Sequence, residues 1–222
     1  MALTCTLSAH FKYALGKKMI DLSADSIKVL LMRNGFSFNA GRHLTKSNIK
    51  GTITRTDLTF ASAGKTITTV GGNFVTAGFV IGNQLTISGS ASNNEVASLT
   101  IANVTALVIT TNEAIINEAD ANSITISCSD ELVTGNGYTQ DTMTLTGVTW
   151  AEDDVNLWGL MSANNVVWTA NAGLGIGPTP QAILYDDTSA DKTIIGCIDF
   201  GGNQTAPNGA QFTISNEALK IS

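Results

Sequence analysis

The residues of this 222-residue chain that are most suggestive of chemistry are acidic, and they cluster in the segment YDDTSADK. Asp186, Asp187 and Asp191 lie within six residues there, and Lys192 follows them. Carboxylates this close together could bind a divalent cation, or could act as a general acid and a general base. The alternative is that they form a turn between two strands, which their flanking residues can test.

The residues on either side of this acidic segment predict a β-hairpin. AILY precedes the segment and TIIGCIDF follows it, and both have the composition of buried strands. The alternation predicts one face with Ile194, Gly196, Ile198 and Phe200, and another with Thr193, Ile195, Cys197 and Asp199. Asp and Ser are common at hairpin tips because their side chains bond nearby backbone. We therefore predict a solvated tip, with Lys192 offsetting a little of its charge.

A second acidic group lies in AEDDVN, where Glu152, Asp153 and Asp154 are consecutive. Neighbouring residues of a strand point to opposite faces, so these carboxylates would not converge as an acid and base pair. We predict a solvated turn. Calcium binding stays open as an alternative because oxygen-rich loops bind it, although the EF-hand order is absent.

Two glycine-containing segments suggest nucleotide binding, and neither meets the full pattern. In AGKT, at residues 63–66, the required earlier glycine is replaced by Thr59, and a strand follows instead of a helix. In GLGIGPTP, at residues 173–180, the third glycine is misplaced and Pro178 and Pro180 disfavour the required helix. We predict a turn at the first segment and a surface loop at the second.

Histidine and cysteine offer few alternatives for catalysis. His10 and His43 lie in no HExxH pattern and beside no nucleophile constellation, so we predict solvated or packing roles, His10 on a helix and His43 in a loop. The cysteines are odd in number, far apart and without a CxxC pair, which predicts free structural thiols and a reducing place of assembly. We therefore predict no catalytic, cofactor-binding or metal-binding residue and no cofactor.

Charge and hydropathy limit the partners. Charged residues make up 14% of the chain, the net charge is −6 and the pI is about 4.7, so the surface repels nucleic-acid phosphates. We therefore expect no nucleic-acid partner. The N-terminal segment lacks the order of a signal peptide, and no apolar run approaches the ~18 residues of a membrane span. We expect no association with a membrane.

The first fifty residues predict one helix and one strand. In SAHFKYALGKKMI, Ser8 is a candidate N-cap, and Phe11, Leu15 and Met19 recur at helical spacing. The apolar run at residues 25–32 then predicts a buried strand, and the Asn-Gly pair after it predicts a tight turn.

Residues 52–127 contain no Trp and alternate as short strands between turn clusters, which is typical of a small all-β barrel or sandwich. The predicted strands there are 65–70, 83–89, 96–104, 106–111 and 122–127. Further strands are predicted at 142–150, 155–161, 165–170 and 211–215, with turns at 151–154 and 162–165. The three tryptophans lie in this later part, where we expect core positions, with interface positions as the alternative.

These patterns predict a mainly β fold. Its main domain, at residues 1–51 plus 128–222, is expected to be β-sandwich-like with one N-terminal helix. A smaller β-barrel or β-sandwich domain at residues 52–127 interrupts it. Insertion at a surface loop is tolerated because the entropy of loop closure grows slowly with loop length.

Several separated blocks of the chain resemble a family of tailed-bacteriophage virion structural proteins. The blocks are HFKYALGKKMIDLSADSIKVLLM, ELVTGNGYTQDTMTLTGVTW and AILYDDTSADKTIIGCIDFGGNQTAPNGAQFTIS. They carry an N-terminal helix and strand, a GNGY turn, a Trp-bearing hairpin and a YDD…DFGG hairpin, and together cover residues 1–51 and 130–222. The segment at 52–127 resembles the small β-domains grafted into phage capsid and tail proteins.

The resemblance implies a virion component without enzyme activity, assembled in the cytoplasm of the host bacterium. A capsid decoration or cement protein that forms homo-oligomers on the major capsid protein is the first expectation, and an acidic, β-rich chain suits the head exterior. A neck, tail or fibre-attachment protein is the alternative. A host-glycan-binding module, with SGSASNNE at residues 88–95 as a recognition loop, and a hydrolase using Asp186, Asp187 or Glu152 are further alternatives.

Overall fold

The structure of the protein is a computed structural model that describes residues 4–94, 99–119, 122–154, 158–215 and 218–221. The predicted mainly β fold is confirmed. No helix within those ranges has the length and apolar character needed to cross a membrane. The chain forms two compact units, a first unit of Met1–Lys46 with Glu131–Ser222 and a second unit of Ser47–Asp130.

Within the described ranges the elements are β-strands, one α-helix and a 3-10 helix at Lys46–Asn48. In chain order they are β1 Thr4–Leu7, α1 Ala9–Gly16, β2 Ile27–Leu31, β3 Lys50–Arg55, β4 Thr59–Ala61, β5 Thr66–Thr68, β6 Gln84–Ser88, β7 Leu99–Val104, β8 Val108–Thr111, β9 Glu118–Ala119, β10 Ile124–Ser129, β11 Thr149–Asp153, β12 Trp158–Ser162, β13 Val166–Thr169, β14 Ile176–Asp186, β15 Ile194–Ala206, β16 Gln211–Ile214 and β17 Ala218–Ile221.

The first unit places three antiparallel sheets around one apolar core. Their strand orders are β1-β15-β14-β2, β11-β12-β17 and β13-β16. Leu31 and Leu184 from the four-stranded sheet, Met161 from the three-stranded sheet and Trp168 and Phe212 from the two-stranded sheet all belong to this core. Because facing sheets share one buried layer of side chains, the packing is sandwich-like.

Helix α1 begins at the predicted cap. The Ser8 Oγ accepts a hydrogen bond from the Phe11 amide at 3.0 Å and donates one to the Ile194 carbonyl at 2.6 Å, which ties the helix start to β15. Phe11 is buried as predicted, but the helix ends at Gly16. The extension of the helical face to Met19 is therefore wrong, since Met19 is 53% exposed and Ala14 is the second buried residue of the helix.

The hairpin of β14 and β15 is confirmed, but its flanks differ from the predictions. β14 begins at Ile176, so much of the predicted loop at 173–180 is strand. The strict alternation across residues 193–200 is also wrong, because a register shift lies between Leu184 and Tyr185 and places Ile195 in the same core as Ile198. A bulge re-aims side chains, and a sheet covered on both faces needs no polar face.

The outer edge of β2 is covered by the irregular segment at residues 131–145, which includes the GNGY turn, instead of by a regular strand. Gly135 and Tyr138 exchange two backbone hydrogen bonds of 2.9 Å, and Asn136 and Gly137 between them have φ of 54° and 99°. An Asn-Gly pair suits such a turn because both residues tolerate positive φ. The Tyr138 hydroxyl accepts a hydrogen bond from the Leu31 amide at 3.1 Å, in the place of a strand carbonyl.

The Tyr138 hydroxyl in turn donates to the Glu131 Oε1 at 2.8 Å, and the same oxygen accepts from the Asp141 amide at 2.7 Å. Burial and the neighbouring Glu131 raise the pKa of Tyr138 well above its usual range. The hydroxyl therefore stays protonated and holds the segment after Glu131 against β2.

The second unit runs from Ser47 to Asp130, whereas the prediction was 52–127. Its strand order is β3-β10-β6-β7-β8-β5-β4-β9, around a single apolar core. β3 and β4 lie towards opposite ends of this order but are joined by only residues 56–58. The sheet must therefore curl until these strands approach each other. The AGKT segment is a turn followed by β5, as predicted.

The predicted turn AEDD is wrong, because Ala151, Glu152 and Asp153 belong to strand β11. The predicted strand at 142–150 is correspondingly irregular until Thr149, apart from a single bridge between Thr144 and Lys28. Trp168 lies in the core as expected, whereas Trp150 is 40% exposed. The side chain of Trp158 lies outside the part of the chain that the structure describes.

Candidate functional site

The acidic tip of the β14–β15 hairpin is not uniformly solvated. Asp186 is 0% exposed, so the prediction of a solvated carboxylate is wrong for this residue. Its Oδ1 accepts from the amides of Thr188 at 2.7 Å and Ser189 at 3.1 Å, while its buried Oδ2 meets no hydrogen-bond partner among the described residues. Burial raises the pKa of Asp186 against those two hydrogen bonds, and the nearby Asp25 carboxylate adds to the rise.

Asp186 is buried because β2, the strand that pairs with β14, and the segment before β2 cover it. Asp186 pairs with Ile27 of β2, and the segment before β2 continues the contact beyond the sheet. The Asp187 amide donates to the Ser26 carbonyl at 2.8 Å, and the Ser26 amide donates to the Thr188 Oγ1 at 2.9 Å. Asp186, at the base of the tip, is therefore removed from water by another segment, whereas Thr188 and Asp191 remain exposed.

The other two carboxylates of the tip contact basic side chains, of which Lys28 lies on β2, His10 lies on α1 and Lys192 lies in the tip itself. Asp187 lies 3.1 Å from the ammonium groups of both Lys28 and Lys192, and these contacts lower its pKa although partial burial opposes them. Asp191 lies 2.7 Å from the His10 Nε2, on helix α1 as predicted, and accepts from the Thr193 hydroxyl at 2.6 Å. The tip thus connects α1 and β2 to the hairpin of β14 and β15.

A further group of polar side chains, Lys46 and Asp141, surrounds the Tyr185 hydroxyl. This hydroxyl bonds to the Asp141 carboxylate, and the Lys46 ammonium lies 3.0 Å from the hydroxyl and 4.7 Å from the ring centroid while also pairing with Asp141. Burial, with Asp141 next, raises the pKa of Tyr185 well above its usual range. A tyrosine that acts as a nucleophile or base at neutral pH needs the opposite shift, so this arrangement suits a brace better than catalysis.

The sequence interpretation missed this Tyr185 group. Lys46, Asp141 and Tyr185 are far apart in the chain and form no spaced motif, so no local signal was present. Likewise, nothing in the sequence indicates that Glu131 lies next to the Tyr138 hydroxyl.

The cysteines and His43 take structural positions. Cys5 is half-buried and Cys128 and Cys197 are buried, without a disulfide among the three, as predicted, and burial raises the pKa of Cys197 well above its usual range. His43 is 6% exposed, and its Nδ1 accepts from the Asn39 amide at 2.9 Å. Burial, with Arg42 nearby, lowers the pKa of His43 to about 4, so it is neutral at pH 7 and packs in the loop.

In the second unit, Glu118 holds the loop that contains SGSASNNE, of which the structure describes residues 88–94. The carboxylate accepts from the Ser90 hydroxyl at 2.6 Å, the Ala91 amide at 2.7 Å, the Ser92 amide at 3.0 Å and the Asn93 side chain at 2.8 Å. Burial opposes ionisation, but these hydrogen bonds outweigh it and lower the pKa of Glu118 to about 2. The ionised Glu118 carboxylate therefore holds residues 90–93 of the loop in one conformation.

We expect Glu118→Gln to destabilise the second unit by about 1–3 kcal/mol, because a neutral amide accepts these hydrogen bonds more weakly. The folded pKa is below the usual value, so this contribution is fully present above about pH 4.5 and is lost as the pH falls towards about 2. Amide hydrogen exchange at Ala91 and Ser92 measures the effect. The exposed Glu152→Gln is the control, and equal exchange in both variants would refute the role of Glu118.

We expect Asp186→Asn to stabilise the first unit by about 1–2 kcal/mol at pH 7. The asparagine oxygen keeps both backbone hydrogen bonds, and its amide replaces an oxygen that has no partner among the described residues. The raised pKa means that the wild type loses stability as the pH rises above the ordinary carboxyl value of 3.8, so the gain should vanish near pH 3.

Urea unfolding followed by tryptophan fluorescence measures this gain, because all three tryptophans lie in the first unit. Asp186→Ala is the matched control, since it removes the two acceptor contacts and should destabilise. A wild type that is more stable than Asp186→Asn at pH 7 would show that the buried carboxylate is ionised and satisfied.

Among the described residues, no group of three or more His, Cys, Asp or Glu side chains is arranged to hold a metal ion. Glu152 is exposed on β11. Comparison with known protein families, curated proteins and solved structures finds no match. The arrangement of the tip therefore has to be interpreted from its own contacts, which connect elements of one fold.

Proposed function

We propose that the protein is a non-enzymatic structural component of a tailed-bacteriophage virion, and most specifically a decoration protein that binds and stabilises the exterior of the head. The observation that carries the proposal is that the carboxylates of the acidic tip make contacts that hold the fold together. Asp187 and Asp191, the residues most suggestive of chemistry, bind Lys28, Lys192 and His10 and so connect separate elements.

The physical properties of the chain favour this function over catalysis. Side-chain contacts that connect separate elements suit a protein that must persist as a rigid unit. The net charge of −6 disfavours contact with packaged DNA and favours an outward position on a head. The blocks that resemble the phage structural family supply the class of particle, and the major capsid protein is the partner that this class implies.

Locating the protein in purified particles tests the proposal. Cryo-electron microscopy of virions, together with virions lacking this gene, should show density on the head exterior that disappears in the deletion. The deletion particles should also release DNA at a lower temperature. Density at the neck or tail alone would favour the alternative accessory role, and absence of the protein from purified virions would refute both.

The proposed role also implies a homo-oligomer, because decoration proteins act at symmetric sites between capsomers. Sedimentation of the purified chain and its co-sedimentation with empty heads measure the two associations separately. A monomer that co-sediments with heads would retain the decoration role and remove only the oligomer.

A further inference from the structure

The first unit contains a groove of about 380 Å³ between the end of α1, the segment that follows it, and β11. Ile20 and Leu22, which are 6% and 4% exposed, form its floor together with Leu15. Trp150 forms one wall. The volume lies in the range of about 300–1,000 Å³ that is usual for small-ligand sites, which also combine an apolar lining with a few polar groups.

A glycine on β12 allows the Trp150 indole to pack closely against that strand. A Cβ at Gly159 would lie 2.3 Å from the Trp150 Cζ2 and 2.6 Å from its Cη2, so the indole lies directly against the backbone of β12. Gly159 does not have the positive φ that elsewhere requires glycine, and close approach of the ring is therefore what glycine permits here. The indole is backed by a strand on one side and is 40% exposed overall.

The rim carries one donor and two acceptors. Lys18 lines the groove with its backbone in the left-handed region, at a φ of 57°. Its ammonium group makes no hydrogen bond or ion pair with any described residue, so it is able to donate to a ligand. The Asp21 Oδ1 accepts from the Ser23 amide at 2.9 Å and the Ser23 hydroxyl at 2.5 Å. Asp21 Oδ2 and the Ser23 oxygen therefore remain able to accept hydrogen bonds from a ligand.

These features together describe the ligand. A pyranose ring has an apolar C–H face that packs on an indole, and hydroxyl groups around its edge that need both donors and acceptors. The rim charges of Lys18 and Asp21 balance, which suits a neutral ligand. An acidic peptide would meet Asp21 and the exposed Glu152, which follows Trp150 by two residues on β11.

We propose that the groove beside Trp150 binds a neutral hexose residue, with the sugar stacked on the indole and its hydroxyls bonded to Lys18, Asp21 and Ser23. This site is in the first unit and is separate from the 88–95 loop of the second unit. It is independent of the proposed virion role, since a sugar-binding surface would act equally on another particle or enzyme.

Saturation-transfer NMR and titration of the Trp150 indole N–H resonance test the site in the full chain. The probes are the methyl glycosides of glucose, galactose, mannose and N-acetylglucosamine at millimolar concentration. We expect at least one probe to bind and to shift the Trp150 resonance. Trp150→Ala should weaken that binding about tenfold or more, through loss of the stacking surface, and Asp21→Asn should weaken it less.

Leu174→Ala is the matched control, because Leu174 is 97% exposed and lies outside the groove. It should leave sugar binding unchanged, and the thermal unfolding of each variant shows whether the fold is retained. Absence of transfer to all four probes, or binding that survives Trp150→Ala in a folded variant, would overturn the proposal. Self-association of the chain that Trp150→Ala abolishes would assign the groove to a second copy and would also overturn it.

Discussion

Gly137→Ala is expected to destabilise the first unit by about 3 kcal/mol or more. Gly137 has a φ of 99°, and a Cβ there would lie 2.0 Å from the Thr169 carbonyl oxygen. The obstacle is the backbone of β13, which cannot move without displacing Trp168, the neighbour of Thr169, from the core. The GNGY turn and the two-stranded sheet cannot both keep their positions.

Gly35→Ala separates the two causes of this loss. Gly35 has a φ of 82° but nothing within 4 Å of the added Cβ, so only the backbone strain of about 1 kcal/mol should appear. Urea unfolding followed by tryptophan fluorescence measures both variants on the same unit. Similar losses in the two variants would show that the segment at Thr169 can yield and that the close packing there contributes little.

Local sequence signals predicted those parts of the fold in which the partner lies nearby in the chain. The Ser8 cap, the AGKT turn and the β14–β15 hairpin depend on residues a few positions away or on alternation within one segment. The β-branched and turn residues on which these signals rest act through local backbone preference. Such signals place elements well, but they do not show what covers them.

The errors have the same physical origin. Asp186 was predicted to be solvated because the tip is polar, yet the segment before β2 covers it. The strand at Ala151–Asp153 carries a turn-like composition, and its pairing with β12 overrides that preference. The Tyr185 group and the Glu118 contacts join residues that no spacing rule relates, so the braces of the candidate site could be found only in three dimensions.

Tyr138→Phe is expected to cost the first unit about 3 kcal/mol, although it removes a single oxygen. That oxygen accepts from the Leu31 amide and donates to Glu131, which are both buried. Phenylalanine would leave the amide of Leu31, the last residue of β2, without its acceptor, and would remove a hydrogen-bond donor from the buried Glu131 side chain.

Two measurements distinguish this account from a simple loss of packing. Amide exchange at Leu31 should accelerate in Tyr138→Phe more than at its neighbours, and Glu131→Gln should recover part of the lost stability in the double variant because an amide loses less than a carboxylate when a donor is removed. Tyr13→Phe is the control, since Tyr13 is 56% exposed and should change stability by less than about 0.5 kcal/mol. If Tyr138→Phe behaves like Tyr13→Phe, the hydroxyl does not complete the edge of β2, and the backbone of residues 131–145 must hold that edge without it.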